Sequence, residues 1–285
     1  MTAQVTVGLD GSDESLAAAR WAAAEAALRE VPLRLVYVEE WPNTPEIPAP
    51  HARTLYERAG TLLDDEAERA RKDHPDLEVA TEQARGRAAD ELAAAADAAD
   101  LLVLGSRGLG VLGFVIGSVS LAVVGTARRP VVLVRAEHPD TAPSARGIVV
   151  GVDLRQPSEP LLAFAFEEAA RRRAPVRFLS AWTAPASYGF ASAMDPGINE
   201  ELGNGVRVGL EELLAPWRTR CPGVDVTAEA VAGSAAFRMT EASREAELVV
   251  VGRRTRRLPV GPHIGHVAHA VIHHSPAPVA VVPQE

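Results

Sequence analysis

The sequence predicts an α/β protein made of two tandem copies of one small doubly wound domain, each a five-stranded parallel sheet with helices on both faces. Three observations predict it. The chain from Val5 repeats its own pattern from Ile148; strand-length and helix-length segments alternate throughout; and the strand segments are continuously apolar instead of alternating. Continuous runs mark strands buried on both faces, the environment that a parallel sheet with right-handed helical crossovers provides.

The first half opens with Val5-Thr6-Val7-Gly8-Leu9-Asp10 and the second with Ile148-Val149-Val150-Gly151-Val152-Asp153, each a β-branched run ending in Gly-x-Asp. Helices are expected at 13–30 and 158–173, with Ser12 or Asp13 and Pro157 or Ser158 as cap and first-turn residues. Strands return at 32–38 and 175–182, and both lead into Pro-rich loops at 41–50 and 183–197. Amphipathic helices are expected at 51–72 and 198–220, followed by strands at 77–81 and 224–230. Gly86 then begins a helix leading into Leu101-Leu102-Val103-Leu104-Gly105, and Gly233 begins one leading into Leu248-Val249-Val250-Val251-Gly252. A further helix and a last strand, 129–134 and 277–282, complete each half. The segment 136–146, with Pro139 and Pro143, reads as a linker, which sets domains at 1–136 and 147–285.

Composition narrows the chemistry. A formal net charge of -9, with no basic stripe interleaved with aromatics, disfavours nucleic acid as a partner. Lys72 is the only lysine, so a Walker-type phosphate lysine or a Schiff base has almost nowhere to sit. Cys221 is the only cysteine, which forbids an intrachain disulfide and suits a reducing compartment. The first nine residues read as a strand and not as a signal peptide, so a cytoplasmic location is expected. Residues 108–127 carry no charge and are long enough by count to span a bilayer. Gly108, Gly110, Gly113, Gly117 and Gly125, with Ser118, Ser120 and Thr126, make that stretch a glycine-rich loop and a soluble helix, and no membrane association is expected.

In a doubly wound sheet, ligands sit beyond the C-terminal strand ends at the point where strand order reverses. There the first half places Gly105-Ser106-Arg107-Gly108 and, after a short loop, Gly117-Ser118-Val119-Ser120 opening a helix. Glycines let backbone N–H groups approach an anion, and a helix N-terminus adds unpaired donors and partial positive charge. Ser118 and Ser120 can add hydroxyl donors, and Asp10, leaving the first strand, can face the same crevice. A second glycine pattern, Gly108-x-Gly110-x-x-Gly113 with Glu137 beyond it, matches a dinucleotide fingerprint, but it falls in the last unit of its domain instead of the first.

On these residues the chain resembles the universal stress protein family in tandem form, over nearly its whole length. The family's ATP-binding members carry Gly-x2-Gly-x9-Gly-Ser/Thr; Gly105, Gly108, Gly117 and Ser118 match its elements, with eight residues instead of nine between Gly108 and Gly117. The resemblance implies Rossmann-like domains of the adenine nucleotide alpha hydrolase type and ATP, with Mg2+, as the ligand of the first half. It places Asp10 beside the ribose or a phosphate-bound metal ion, the Val38 backbone against adenine, and Arg107 near the phosphates. It further implies pairing of the two domains through their last strands, and a homodimer of the chain.

The second half keeps the spacing and loses the chemistry: Gly252-Arg253-Arg254-Thr255, nine residues, then Gly265-His266, with Ala268 standing where Ser120 does. It is expected to bind ATP weakly or not at all. Arg253, Arg254, Arg256 and Arg257 either grip an anion or form a solvated loop. His266, His269 and His273 follow an i, i+3, i+7 spacing that suits a shared helix face and a zinc ion, although no metal ligand is assigned; a pH-sensitive interface fits the same residues. No catalytic residue is assigned either. Three readings stand: a nucleotide-binding regulatory protein, a slow ATPase, and a ligand-free assembly module.

Overall fold

The computed structural model describes residues 3–40, 49–106, 118–136, 147–184, 196–254 and 264–284. The chain divides into two compact units, 1–138 and 139–285.

The first unit runs β1 (Val5–Leu9), α1 (Asp13–Arg29), β2 (Leu33–Glu39), α2 (Ala49–Asp73), β3 (Val79–Arg85), α3 (Ala88–Asp97), β4 (Leu101–Gly105), α4 (Ser118–Thr126) and β5 (Val131–Val134). Its strands lie in the order β3-β2-β1-β4-β5 and every pair is parallel. Val5 stands opposite both Leu33 and Leu101, so β1 is central, and all five of its residues are buried. Helix α1 packs on β1, β4 and β5 and against α2, while α3 packs against α4 and the strands. Right-handed crossovers put the two pairs on opposite faces, because the chain turns back past β1 between β3 and β4.

The second unit repeats this with β6 (Ile148–Gly151), α5 (Glu159–Arg172), β7 (Val176–Trp182), α6 (Pro196–Arg220), β8 (Val226–Ala232), α7 (Ala235–Ala242), a 3-10 turn (Ser243–Glu245), β9 (Leu248–Arg254), α8 (His266–His274) and β10 (Val279–Gln284). Its order is β8-β7-β6-β9-β10, again all parallel.

The caps follow the residue types. Ser12 accepts from Ser15 N, and Ser158 accepts from Leu161 N with a proline in the first helical turn. Helices α1 and α5 both end on a residue in the left-handed conformation, Glu30 (φ 56°) and Arg173 (φ 51°).

Strands β3 and β8 begin and end later than their apolar residues suggest. Val79 is the only buried residue of β3, and Glu82, Gln83 and Arg85 follow it in the strand. What holds them there is pairing along all of β2, from Leu33 opposite Val79 to Glu39 opposite Arg85. Cross-strand ion pairs add to it: Arg34 with Glu82, and Arg85 with Glu39 at 3.3 Å. The second unit repeats the first of these as Arg177 with Glu229, 3.5 Å apart. Among the described residues no helix is long and apolar enough to cross a membrane.

Candidate functional site

Strand order reverses between β1 and β4, so their C-terminal ends, Leu9 and Gly105, flank the crevice of the first unit. Only residues 10–12 separate β1 from α1. Gly11 takes φ +81°, a conformation that side-chain-bearing residues avoid, and this turns the chain sharply enough to start a helix at once.

Around that turn the side chains interlock. One carboxylate oxygen of Asp10 (Oδ1) accepts from Ser12 N at 2.9 Å and from Ser12 Oγ at 2.5 Å. Ser12 Oγ in turn accepts from Ser15 N at 3.2 Å. Ser15 Oγ donates to Ser12 O at 2.9 Å and accepts from Asp10 N at 3.3 Å. Asp10 is exposed, so its carboxylate is both oriented and accessible.

Because α1 starts so early, its first turn passes directly over the end of β4. A Cβ on Gly105 would lie 2.7 Å from the Glu14 carbonyl carbon and 2.7 Å from Ser15 N, both backbone atoms. Gly105 is therefore needed for packing, independently of any ligand. On its other side, the Ser120 hydroxyl donates to the Gly105 carbonyl at 2.9 Å and fixes the first turn of α4 to β4. Asp10, Ser15, Gly105 and Ser120 thus form one connected path from the end of β1 to the start of α4.

Ser118 is exposed, Val119 half-buried and Ser120 buried. Their amides belong to the first turn of α4, which carries no acidic side chain to compete for its donors. Val38 lies one residue beyond the Leu9–Tyr37 register pair, half-buried at the same end of the sheet. Arg107, Gly108 and Gly117, together with the Gly108/Gly110/Gly113 pattern, lie outside the described residues.

The sequence reading missed Ser106 and the second role of Ser12. Ser106 is 2% exposed, and its hydroxyl has no hydrogen-bond partner among the described residues, although its amide donates to Val134 O at 2.7 Å. The Asp-Gly-Ser spacing of residues 10–12 carried the signal for Ser12, since such aspartates commonly accept from the residue two positions on.

The second unit differs at each of these points. Seven residues, 152–158, separate β6 from α5. Asp153 accepts from Arg155 N at 3.0 Å, as Asp10 does from Ser12, but its second oxygen is 2.5 Å from Arg254 Nη2 at the end of β9. Arg253 is 3% exposed, and burial lowers its pKa by disfavouring the charged form. Arg253 is thus turned inward and Arg254 engaged with Asp153, while Arg256 and Arg257 lie outside the described residues.

The histidines sit on α8. His269 Nε2 and His273 Nε2 are 3.1 Å apart, and among the described residues no group of three or more histidine, cysteine, aspartate or glutamate side chains could hold a metal ion.

Comparison with known proteins agrees with this duplicated architecture. The model of the "Universal stress protein family" matches residues 1–135 and again 145–283. A universal stress protein of Mycolicibacterium smegmatis is 33% identical over 290 residues, covering 98% of this chain and 96% of the relative. One of Mycobacterium tuberculosis is 32% identical over 295 residues, covering 98% and 97%. The crystal structure of a universal stress protein from Archaeoglobus fulgidus shares the fold at a TM-score of 0.73 and 16% identity, covering 99% of this chain and 98% of that one. With one copy of the family's domain in each half, and relatives that align from end to end, the chain belongs to the universal stress protein family.

Proposed function

We propose that the chain is a nucleotide-binding regulatory protein of the stress response, whose first unit takes an adenine nucleotide, ATP, at the ends of β1 and β4. The observation that carries this reading is the path Asp10–Ser15–Gly105–Ser120, which joins an oriented, exposed carboxylate to the first turn of α4. The residues fit the ligand. First-turn amides of α4 and the Ser118 hydroxyl offer donors to phosphate oxygens, and the Ser106 hydroxyl is a further polar group at the strand end. Arg107, Gly108 and Gly117 complete the phosphate motif by sequence.

Asp10 constrains the arrangement through its charge. A carboxylate repels phosphate unless a cation stands between them, so Asp10 either accepts from a ribose hydroxyl or shares Mg2+ with the nucleotide. The Val38 backbone, at the end of the neighbouring strand, would meet the base.

The second unit has no corresponding role in this reading, since Arg254 engages the aspartate that matches Asp10. Occupancy of the first unit would act through association of the chain, with a homodimer as the assembly. A cytoplasmic setting suits the single free Cys221.

The test is release and identification of nucleotide from the purified chain, followed by calorimetric titration of ATP against wild type and Gly117→Val/Ser118→Ala. One site lost in the variant supports the reading. No co-purified nucleotide and no heat with wild type overturns it and favours a ligand-free assembly module. Light scattering with and without ATP checks the regulatory part, and a strict monomer in both conditions rules out regulated association.

A further inference from the structure

The second unit carries a pair of imidazoles that takes no part in the strand-end site. On α8, His269 and His273 are four residues apart and therefore lie one above the other on the same helix face. Their rings approach to 4.1 Å between centroids with a tilt of 40°, and the same nitrogen of each, Nε2, meets the other at 3.1 Å. His269 is exposed and His273 half-exposed.

That separation has a chemical meaning. With metal–nitrogen bonds of about 2.0–2.1 Å, two nitrogens on one ion stand about 2.9 Å apart at a right angle and about 3.3 Å apart at the tetrahedral angle. The observed 3.1 Å falls between these values. Two nitrogens at this separation can share one cation.

We propose that His269 and His273 form a two-nitrogen chelating site for one late first-row divalent ion of the Zn2+, Ni2+ or Cu2+ class, with water or an exogenous ligand completing its coordination. Imidazole nitrogen selects these ions, whereas Mg2+ and Ca2+ take oxygen ligands. The site is therefore separate in ion, residues and unit from any Mg2+ held beside Asp10. It is also a different set from the His266, His269 and His273 triad suggested by spacing, since the close approach joins residues four apart.

Metal-free, untagged full-length chain would be titrated by calorimetry with Zn2+ and, separately, Cu2+, with Mg2+ as the comparison. Wild type should bind one ion of each of the first two at this site and show no Mg2+ heat attributable to it. His269→Ala and His273→Ala should each weaken binding by roughly tenfold or more, because chelation makes the second bond intramolecular. His266→Ala should leave it unchanged. In the unsubstituted protein, the imidazole 15N resonances of His269 and His273 should move together on addition of Zn2+. Absence of saturable binding, binding as tight as wild type in either histidine variant, or resonances that stay in place would each overturn the assignment.

Discussion

Arg254 Nη2 lies 2.5 Å from Asp153 Oδ2 and bridges the ends of β9 and β6, at the position where the first unit has Asp10 hydrogen-bonded to Ser12. About half of each side chain in this pair is exposed, 56% for Arg254 and 46% for Asp153. Its consequence is therefore occupancy of the carboxylate more than stability. Arg254→Ala is expected to cost about 0.2–1 kcal/mol, with the difference shrinking in high salt as screening weakens the wild-type pair. Urea melts at low and high ionic strength measure it; a salt-independent loss well above that range would show a packing role instead.

Ser12 serves two partners at once. Ser12→Ala removes the cap on Ser15 N and the hydroxyl donor to Asp10, at an expected cost of about 1 kcal/mol. Ser158→Ala loses the corresponding cap on Leu161 N, with a similar cost. If Asp10 orientation matters for nucleotide, only the Ser12 variant weakens ATP in calorimetry, while the two melts look alike.

Three substitutions test the packing at the end of β4 and at its counterpart in β9. Gly105→Ala forces a methyl into the backbone of Glu14 and Ser15, an overpacking cost of about 1–3 kcal/mol. The equivalent Gly252→Ala meets the far end of the Gln284 side chain and no backbone, so its cost is expected to be smaller. Ser120→Ala, which removes the hydroxyl donor to the Gly105 carbonyl, should cost about 1 kcal/mol. Chemical denaturation of the three variants orders them, and Gly252→Ala as the worst of the set would contradict the packing argument.

Helix α1 ends on a buried ion pair, Arg29 Nε to Glu25 Oε1 at 2.5 Å, with side chains only 9% and 1% exposed. Removing Glu25 takes away this buried partner of Arg29, so Glu25→Ala is expected to cost more than loss of an exposed pair, above about 1 kcal/mol. Replacing both with leucine removes the desolvated charges together and should be less damaging than the single change. Thermal melts of single and double variants decide this, and additive losses would mean that the two residues act through separate partners.

The duplicated fold was legible in the sequence because its signal is local. Runs such as Val5-Thr6-Val7-Gly8-Leu9 and Leu101-Leu102-Val103-Leu104 are buried on both faces, and burial of that kind leaves a continuous apolar pattern. The caps Ser12 and Ser158, and the placing of Asp10 and Gly105 at strand ends, are equally short-range. Strands β3 and β8 were displaced by about two residues: in β3, Glu82, Gln83 and Arg85 have no strand signal of their own and are held by the ladder to β2, and β8 is held likewise along β7. The Arg254–Asp153 bridge spans 101 positions and exists only because β6 and β9 pair side by side. Gly105 read as a residue for phosphate approach, and only the path of α1 across β4 revealed the backbone that excludes a Cβ there. Spacing put His269 and His273 on one helix; the rotamers that bring their Nε2 atoms to 3.1 Å depend on packing. Composition and period thus determine which segments form and how they alternate, since those depend on each residue's own burial and hydrogen bonding. Which atoms then meet across elements was decided by tertiary structure, because those distances arise from strand pairing and helix placement between residues far apart in the chain.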